Sequence, residues 1–263
     1  MITIHTIASG SEGNCLLVSA GTTHILLDAG ISCRRISSAL SELDLSLNSI
    51  DAVLITHEHS DHIGGLTTLV RRRALPVYTG AATARQLRYR IAGIEPQLRP
   101  VGPGEPFSVG DLTVTAFPTS HDVAGGLDFR FDHEGAGAGV LTDTGTVTEE
   151  ACRILDGVDL LILESNHDVD RLLSGPYPFP LKRRILSDFG HLSNADAAAF
   201  AAELAGKGTR RFVLAHLSRE NNTPQLALEA VERAVSPFGA SVCVAPRGVL
   251  SEAYVAEGCV CSE

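Results

Sequence analysis

The stretch LITHEHSDHIGGL, residues 54–66, gathers three histidines and two acidic residues directly after an apolar run. Imidazole and carboxylate groups are costly to bury together without a partner. His57 and His59 are two residues apart, as are His59 and Asp61, and His62 follows at once. A loop folded around one point presents all four. Such a nitrogen and oxygen donor set suits zinc, manganese or iron. With further ligands drawn from elsewhere, four donors exceed what one open catalytic metal takes. Two divalent metal ions are therefore the natural inference.

The elements around the motif place it on a strand-to-helix loop. DAVLI precedes it as a strand and GLTTLVRRR follows it with a helical pattern. Runs rich in Ile, Val, Leu and Thr predict strands near 2–7, 14–18, 23–28, 51–56, 76–78, 112–117, 127–132, 138–142, 159–163, 211–215 and 241–244. Helical patterns fall at 33–43, 64–73, 81–92, 147–155, 195–206 and 224–235. Ser193 is a cap with Asp196 three residues on, and Gly206 fits just past that helix; Thr223 caps the last helix, with Pro224 at its first position. The pattern is of the α/β class, with no linker, so a single domain over residues 1–263 is expected. The longest irregular stretch is LLSGPYPFPLKRRILSDFGH, 172–191, and long loops are often functional.

Composition excludes several function classes. No apolar run approaches the roughly 20 residues of a membrane span, and the start, MITIHTIASGSEGN, lacks the pattern of a secretory signal. A cytoplasmic protein that does not enter a membrane is expected. The formal net charge of −10 argues against binding polyanions over the whole surface. Arginines cluster at 71–73, 85–90, 182–184 and 210–211, each readable as a solvated helix face. The six cysteines, Cys15, Cys33, Cys152, Cys243, Cys259 and Cys261, form no C-x-x-C pair and read as free thiols, mostly core fillers.

With its HxHxDH pattern, the motif resembles the first signature of the metallo-β-lactamase superfamily. Matching positions recur at strand ends: His121 in TSHD, Asp143 in LTDTG, His216 in LAHLSRENNTP and Asp28 in LLDAG. The resemblance implies a four-layer αββα sandwich of two similar halves. It implies one metal on His57, His59 and His121, a second on Asp61, His62 and His216, and Asp143 bridging them. Asp28 would support the ligands from behind. A hydroxide held between such metals is a strong nucleophile at neutral pH.

Other residues narrow the branch. Glu164 in LLILESNHD resembles the glutamate of the HEAT motif of tRNase Z-type nucleases, and FGHLSNADAAAFAAELA puts His191 where they carry a histidine. A histidine held by a carboxylate suits protonation of a leaving alkoxide. Closer still, ASGSEGNCLLV, ESNHD, GPYPFPLKRRI, SDFGHLSN and HLSRENNTP resemble the YycJ/WalJ-type metallo-hydrolases. That resemblance implies a DNase of the 5′-to-3′ exonuclease type, with Asp61, Glu164 and His191 catalytic and DNA as substrate. Lys182, Arg183 and Arg184 lie between Glu164 and His191 and read as phosphate contacts or as a solvated turn. His167 is a substrate contact or a loop histidine, and Asn221 a substrate contact or a loop builder. The alternatives are a hydrolase of small phosphodiesters, nucleotides or RNA with the same metals, and a metal-binding regulatory module with little turnover.

Overall fold

The computed structural model describes residues 1–258, so Cys259 and Cys261 lie outside the described residues. The chain opens with three antiparallel strands, β1 (Ile2–Ala8), β2 (Cys15–Ala20) and β3 (Thr23–Leu27). Pairing then turns parallel. Helix α1 (Cys33–Glu42) leads to β4 (Ala52–Ile55), α2 (Ser60–Ile63) and α3 (Leu66–Arg72) to β5 (Val77–Gly80), and α4 (Ala81–Arg90) to β6 (Leu98–Val101). The second half repeats the plan. Strands β7 (Pro106–Val109), β8 (Leu112–Pro118), β9 (Leu127–His133) and β10 (Ala136–Leu141) are antiparallel. Helix α5 (Glu149–Ile154) then leads to β11 (Leu160–Glu164). Helices α6 (Val169–Ser174), α7 (Phe179–Ile185) and α8 (Asn194–Lys207) lead to β12 (Arg211–Ala215), and α9 (Pro224–Val235) to β13 (Ser241–Val244). The strands from β10 to β13 pair in parallel. Finally β14 (Tyr254–Ala256) returns to pair with β1.

The sheet orders are β14-β1-β2-β3-β4-β5-β6 and β13-β12-β11-β10-β9-β8-β7. Alternation along the strands builds the layers, because successive side chains point to opposite faces. Ile25 and Leu27 of β3 pack with Val114, Phe129, Phe131 and Val213 between the sheets. Leu26 points the other way, toward Ile36, Leu40 and Leu69 of the outer helices. Leu161 and Leu163 of β11 meet Phe200, Leu204 and Val231 of α8 and α9. Three apolar clusters thus fill the three spaces of an αββα sandwich, the expected fold. Among the described residues, no helix is long and apolar enough to cross a membrane.

Several expectations need correction. LRPVGPGEPFSV, where no strand is expected from sequence, forms β6 and β7. Each is an edge strand, where Pro100 and Pro106 can sit without breaking a ladder. The stretch 172–191 is not irregular throughout, since it contains the end of α6 and all of α7. Pro180 lies in the first turn of α7, where its missing N–H costs nothing. Ser193 does cap α8, accepting the Asp196 N–H, but that helix runs through Gly206 to Lys207 and ends on Gly208 with φ of +122°. Thr223 caps α9 as expected. Cys15 and Cys33 are buried, whereas Cys243 is exposed and fills no core.

The inter-sheet layer yields a stability test. Phe129 is fully buried there, and Phe129→Ala should cost about 3–5 kcal/mol in urea unfolding. A loss below about 1 kcal/mol would show that the layer is not closely packed.

Candidate metal centre

Strand ends carry the site. Asp28 follows β3, residues 57–62 follow β4, and His121 lies beyond β8. Asp143 lies beyond β10, Glu164 ends β11, and His216 follows β12. In open α/β sheets the carboxyl ends of parallel strands are where ligands gather. Asp28, Asp143 and His216 have φ of 60°, 49° and 54°. Non-glycine residues rarely hold this left-handed conformation, and it clusters at functional sites. Close backbone approach also helps. A side chain on Gly30 would overlap the Asp61 carbonyl, so only glycine lets the LLDAG turn support the loop of histidines.

The structure brings the expected donors together. His57, His59 and His121 offer ligand atoms within 4.8 Å of one another, and so do Asp61, His62 and His216. A third group, His57, His62 and Asp143, links the first two. Asp143 therefore stands between the sets.

Most of the rings have one nitrogen tied to the protein. His62 Nδ1–H donates to Asp28 Oδ2 at 2.7 Å, and His121 Nδ1–H to the Gly190 carbonyl at 3.1 Å. His57 Nδ1 lies 3.0 Å from Thr56 Oγ1, which itself bonds Asp28. His216 Nδ1–H donates to Glu164 Oε1 at 2.8 Å. Such bonds set the tautomer and leave Nε2 facing inward, as metal-bound imidazoles require. His59 is turned over, with Nδ1 3.1 Å from His57 Nε2.

These atoms fit divalent ions. His216 Nε2 is buried with no hydrogen-bond partner, an arrangement native proteins rarely keep without a ligand or water, and Asp143 Oδ2 has only His62 Nε2 near it, at 3.2 Å. One contact competes: Asn14 Nδ2 lies 3.0 Å from His62 Nε2, and a cation on that nitrogen would displace it.

Electrostatics point the same way. Burial pushes His57 and His59 down, making them neutral nitrogen donors. Burial also opposes charge on His62 and His216. There Asp28 and Asp143 outweigh it for His62, and Asp143 and Glu164 for His216, so both rings are raised. Burial disfavours the Asp143 anion too, but the His216 and His62 charges hold it well below the usual carboxylate range. The cluster is a field of buried carboxylates that favours cations.

Glu164 occupies a separate place. Its Oε1 accepts His191 Nδ1–H at 2.8 Å as well as the His216 bond, while Oε2 accepts the Thr144 and Leu192 N–H groups at 3.0 and 3.2 Å. Burial alone would raise Glu164; its histidine partners bring it down to about 2. Burial opposes charge on His191, yet Glu164 and Asp143 raise it to about 9. These four groups also lie close enough to share a metal. The Nδ1 hydrogen bonds favour reading Glu164 as the group that holds two rings.

An open pocket of about 310 Å³ exposes His59, Asp61, His121, Asp143, His191 and His216. His167, Asn221, Lys182 and Arg183, each read as either a substrate contact or a structural residue, do not line it. His167 and Asn221 are each only 1% exposed. Asn221 is folded onto Ser218 Oγ. Lys182 Nζ donates to the Leu173 and Gly175 carbonyls, and Arg183 is exposed outside the pocket. Of the basic run 182–184, Arg184 does line the pocket, together with Ser11, Tyr177 and Ser218, which sequence reasoning does not single out. Asp128 is a buried supporting residue that no sequence motif marks. Burial holds its carboxyl well above the usual range, and it accepts the Thr142 N–H at 2.6 Å, anchoring the loop that presents Asp143.

A family model described as the beta-lactamase superfamily domain matches residues 23–217. The chain belongs to this superfamily. Within it, the chain is 37% identical to exodeoxyribonuclease YycJ of Bacillus anthracis, covering 90% of each. It is 38% identical to exodeoxyribonuclease WalJ of Streptococcus pneumoniae serotype 2 over 84% of this chain and 83% of that one. The metallo-β-lactamase fold protein YhfI of Bacillus subtilis superposes with a TM-score of 0.74 at 19% identity, covering 96% of this chain and all of that one. As in the rest of the superfamily, two mixed sheets are flanked by helices.

Because Asp28 fixes the His62 ring, Asp28→Asn should weaken metal binding about 10- to 100-fold. Competition against a calibrated chelator measures this. Unchanged affinity would remove Asp28 from any supporting role.

Proposed function

We propose that this enzyme is a binuclear metal-dependent nuclease that hydrolyses DNA, of the 5′-to-3′ exonuclease type, with His191 as general acid. The bond network at Glu164 carries the reading. One carboxylate oxygen holds both His216, in the donor cluster, and His191, at the pocket wall. A histidine held by a buried carboxylate at the pocket wall suits delivery of the proton that a leaving alkoxide needs. The names of the YycJ and WalJ relatives, and their coverage, support DNA as the substrate.

His57, His59 and His121 would hold one ion, Asp61, His62 and His216 the other, and Asp143 both. When bound, zinc, manganese or iron ions supply Lewis acidity, lowering the pKa of water and neutralising phosphate charge. The chain does the rest. Asp61, whose side chain is 26% exposed, faces the pocket and orients the attacking water. His191 passes its proton to the leaving oxygen as the phosphorus–oxygen bond breaks. Glu164 keeps that ring oriented and stabilises its charge.

End-labelled duplex, single-stranded DNA and RNA provide the test. Metal-loaded protein should cleave DNA, and chelation should abolish cleavage. His191→Ala should lower kcat by about 10²- to 10⁴-fold with metal content unchanged. An undiminished rate in that variant would reject the general acid. No cleavage of DNA by fully loaded protein would reject the nuclease reading.

A further inference from the structure

Two more hollows adjoin the metal pocket on the side of the 9–14 loop. A small one is lined by Ser9, Ser11, Arg35, Arg219 and Arg247, among others. A groove of about 500 Å³ shares Ser9, Arg219 and Arg247 with it and adds Arg171. Ser11 lines both the small hollow and the metal pocket, and Ser218 of the metal pocket is the chain neighbour of Arg219. The small hollow therefore borders the metal pocket at Ser11, and the groove borders the small hollow through the residues they share.

Four arginines meet here in a chain whose net charge is −10. They come from four separate segments, so no sequence run announces them. Three are held by backbone carbonyls: Arg35 Nη2 by Gly248 and Arg247 Nη2 by Leu217, each at 3.0 Å, and Arg171 Nε by Glu220 at 2.9 Å. A carbonyl anchors a guanidinium without neutralising it, and the remaining N–H groups stay available to an anion. Arg219 pairs with Glu12 at 3.1 Å, but both side chains are largely exposed, at 69% and 76%. Such a pair is worth little and yields readily to a phosphate. Glu12 is the one acidic residue lining either hollow among the described residues.

The basic runs visible in the sequence do not compete. None of Arg71, Arg72, Arg73, Lys182 and Arg183 lines these hollows, and Arg184 lies at the metal pocket itself rather than on the approach to it.

We propose that Arg35, Arg171, Arg219 and Arg247 form a track that binds the sugar–phosphate backbone of DNA and leads it to the metal centre. Planar guanidinium groups match phosphate oxygens in pairs, and anchored ones lose little freedom on binding. The choice of DNA rests on the nuclease reading; the anion-binding track rests on the arginines themselves.

The test is binding of a labelled duplex with phosphorothioate linkages, which resist cleavage, to the metal-loaded full chain over a range of salt. Fluorescence anisotropy reads it. Affinity should fall with salt, and Arg219→Ala with Arg247→Ala should weaken binding and flatten the log–log salt slope by about 0.9 for each phosphate left unneutralised. Arg219→Lys with Arg247→Lys should keep most of the slope. Arg71→Ala with Arg72→Ala, on a helix that lines none of these hollows, should leave it unchanged. If the alanine pair keeps the wild-type slope while ordinary DNA is still cleaved, the track is wrong and the nuclease reading stands. If wild type cleaves no DNA yet shows the arginine-dependent slope, the track stands and the nuclease reading falls. Equal losses in both alanine pairs would overturn the track.

Discussion

A buried carboxylate must be answered by donors, and Glu164 is answered four times. Two imidazole N–H groups reach one oxygen, and two backbone N–H groups reach the other. In low dielectric each bond is stronger than in water, and a missing one would be costly. Those partners come from the loop after β10, the loop before α8 and the end of β12. One side chain thus ties two strand ends and the loop before α8 to a single point. Asp28 does similar work across the sandwich, accepting from His62 and from Thr56.

That constraint explains the cost accepted elsewhere. Asp28, Asp143 and His216 keep left-handed backbone conformations, each worth roughly 1–3 kcal/mol of strain. Packing on both faces of two sheets holds them there. Between the carboxylates, most histidines have one nitrogen engaged and present the other, so the protein's own hydrogen bonds orient the cluster. This preorganisation distinguishes the centre from a chance crowd of polar residues.

The two sides of the pocket have different characters. The wall at His191 is built from hydrogen-bonded, mostly buried groups suited to moving a proton. Beyond Ser11 and Ser218 the surface turns to anchored arginines. A chain with many more acidic than basic residues can still offer phosphate a local path.

Much of this was legible in the sequence. HEHSDH announces a metal loop because so many donors in so few residues have few other uses, and runs rich in Ile, Val, Leu and Thr mark most strands. The resemblance supplied the distant donors and the αββα fold. Less visible were β6 and β7, whose prolines look like breakers until the edge position is known. Lys182, Arg183, His167 and Asn221 seemed suited to substrate because they flank the right motifs, but tertiary structure turns them away or buries them. Arg35, Arg171, Arg219 and Arg247 were invisible as a group, since more than two hundred residues separate the first from the last. Residue type and local spacing show which groups can bind a metal, because those donors share one loop. Which groups share a wall depends on how two sheets pack, and only the folded chain decides that.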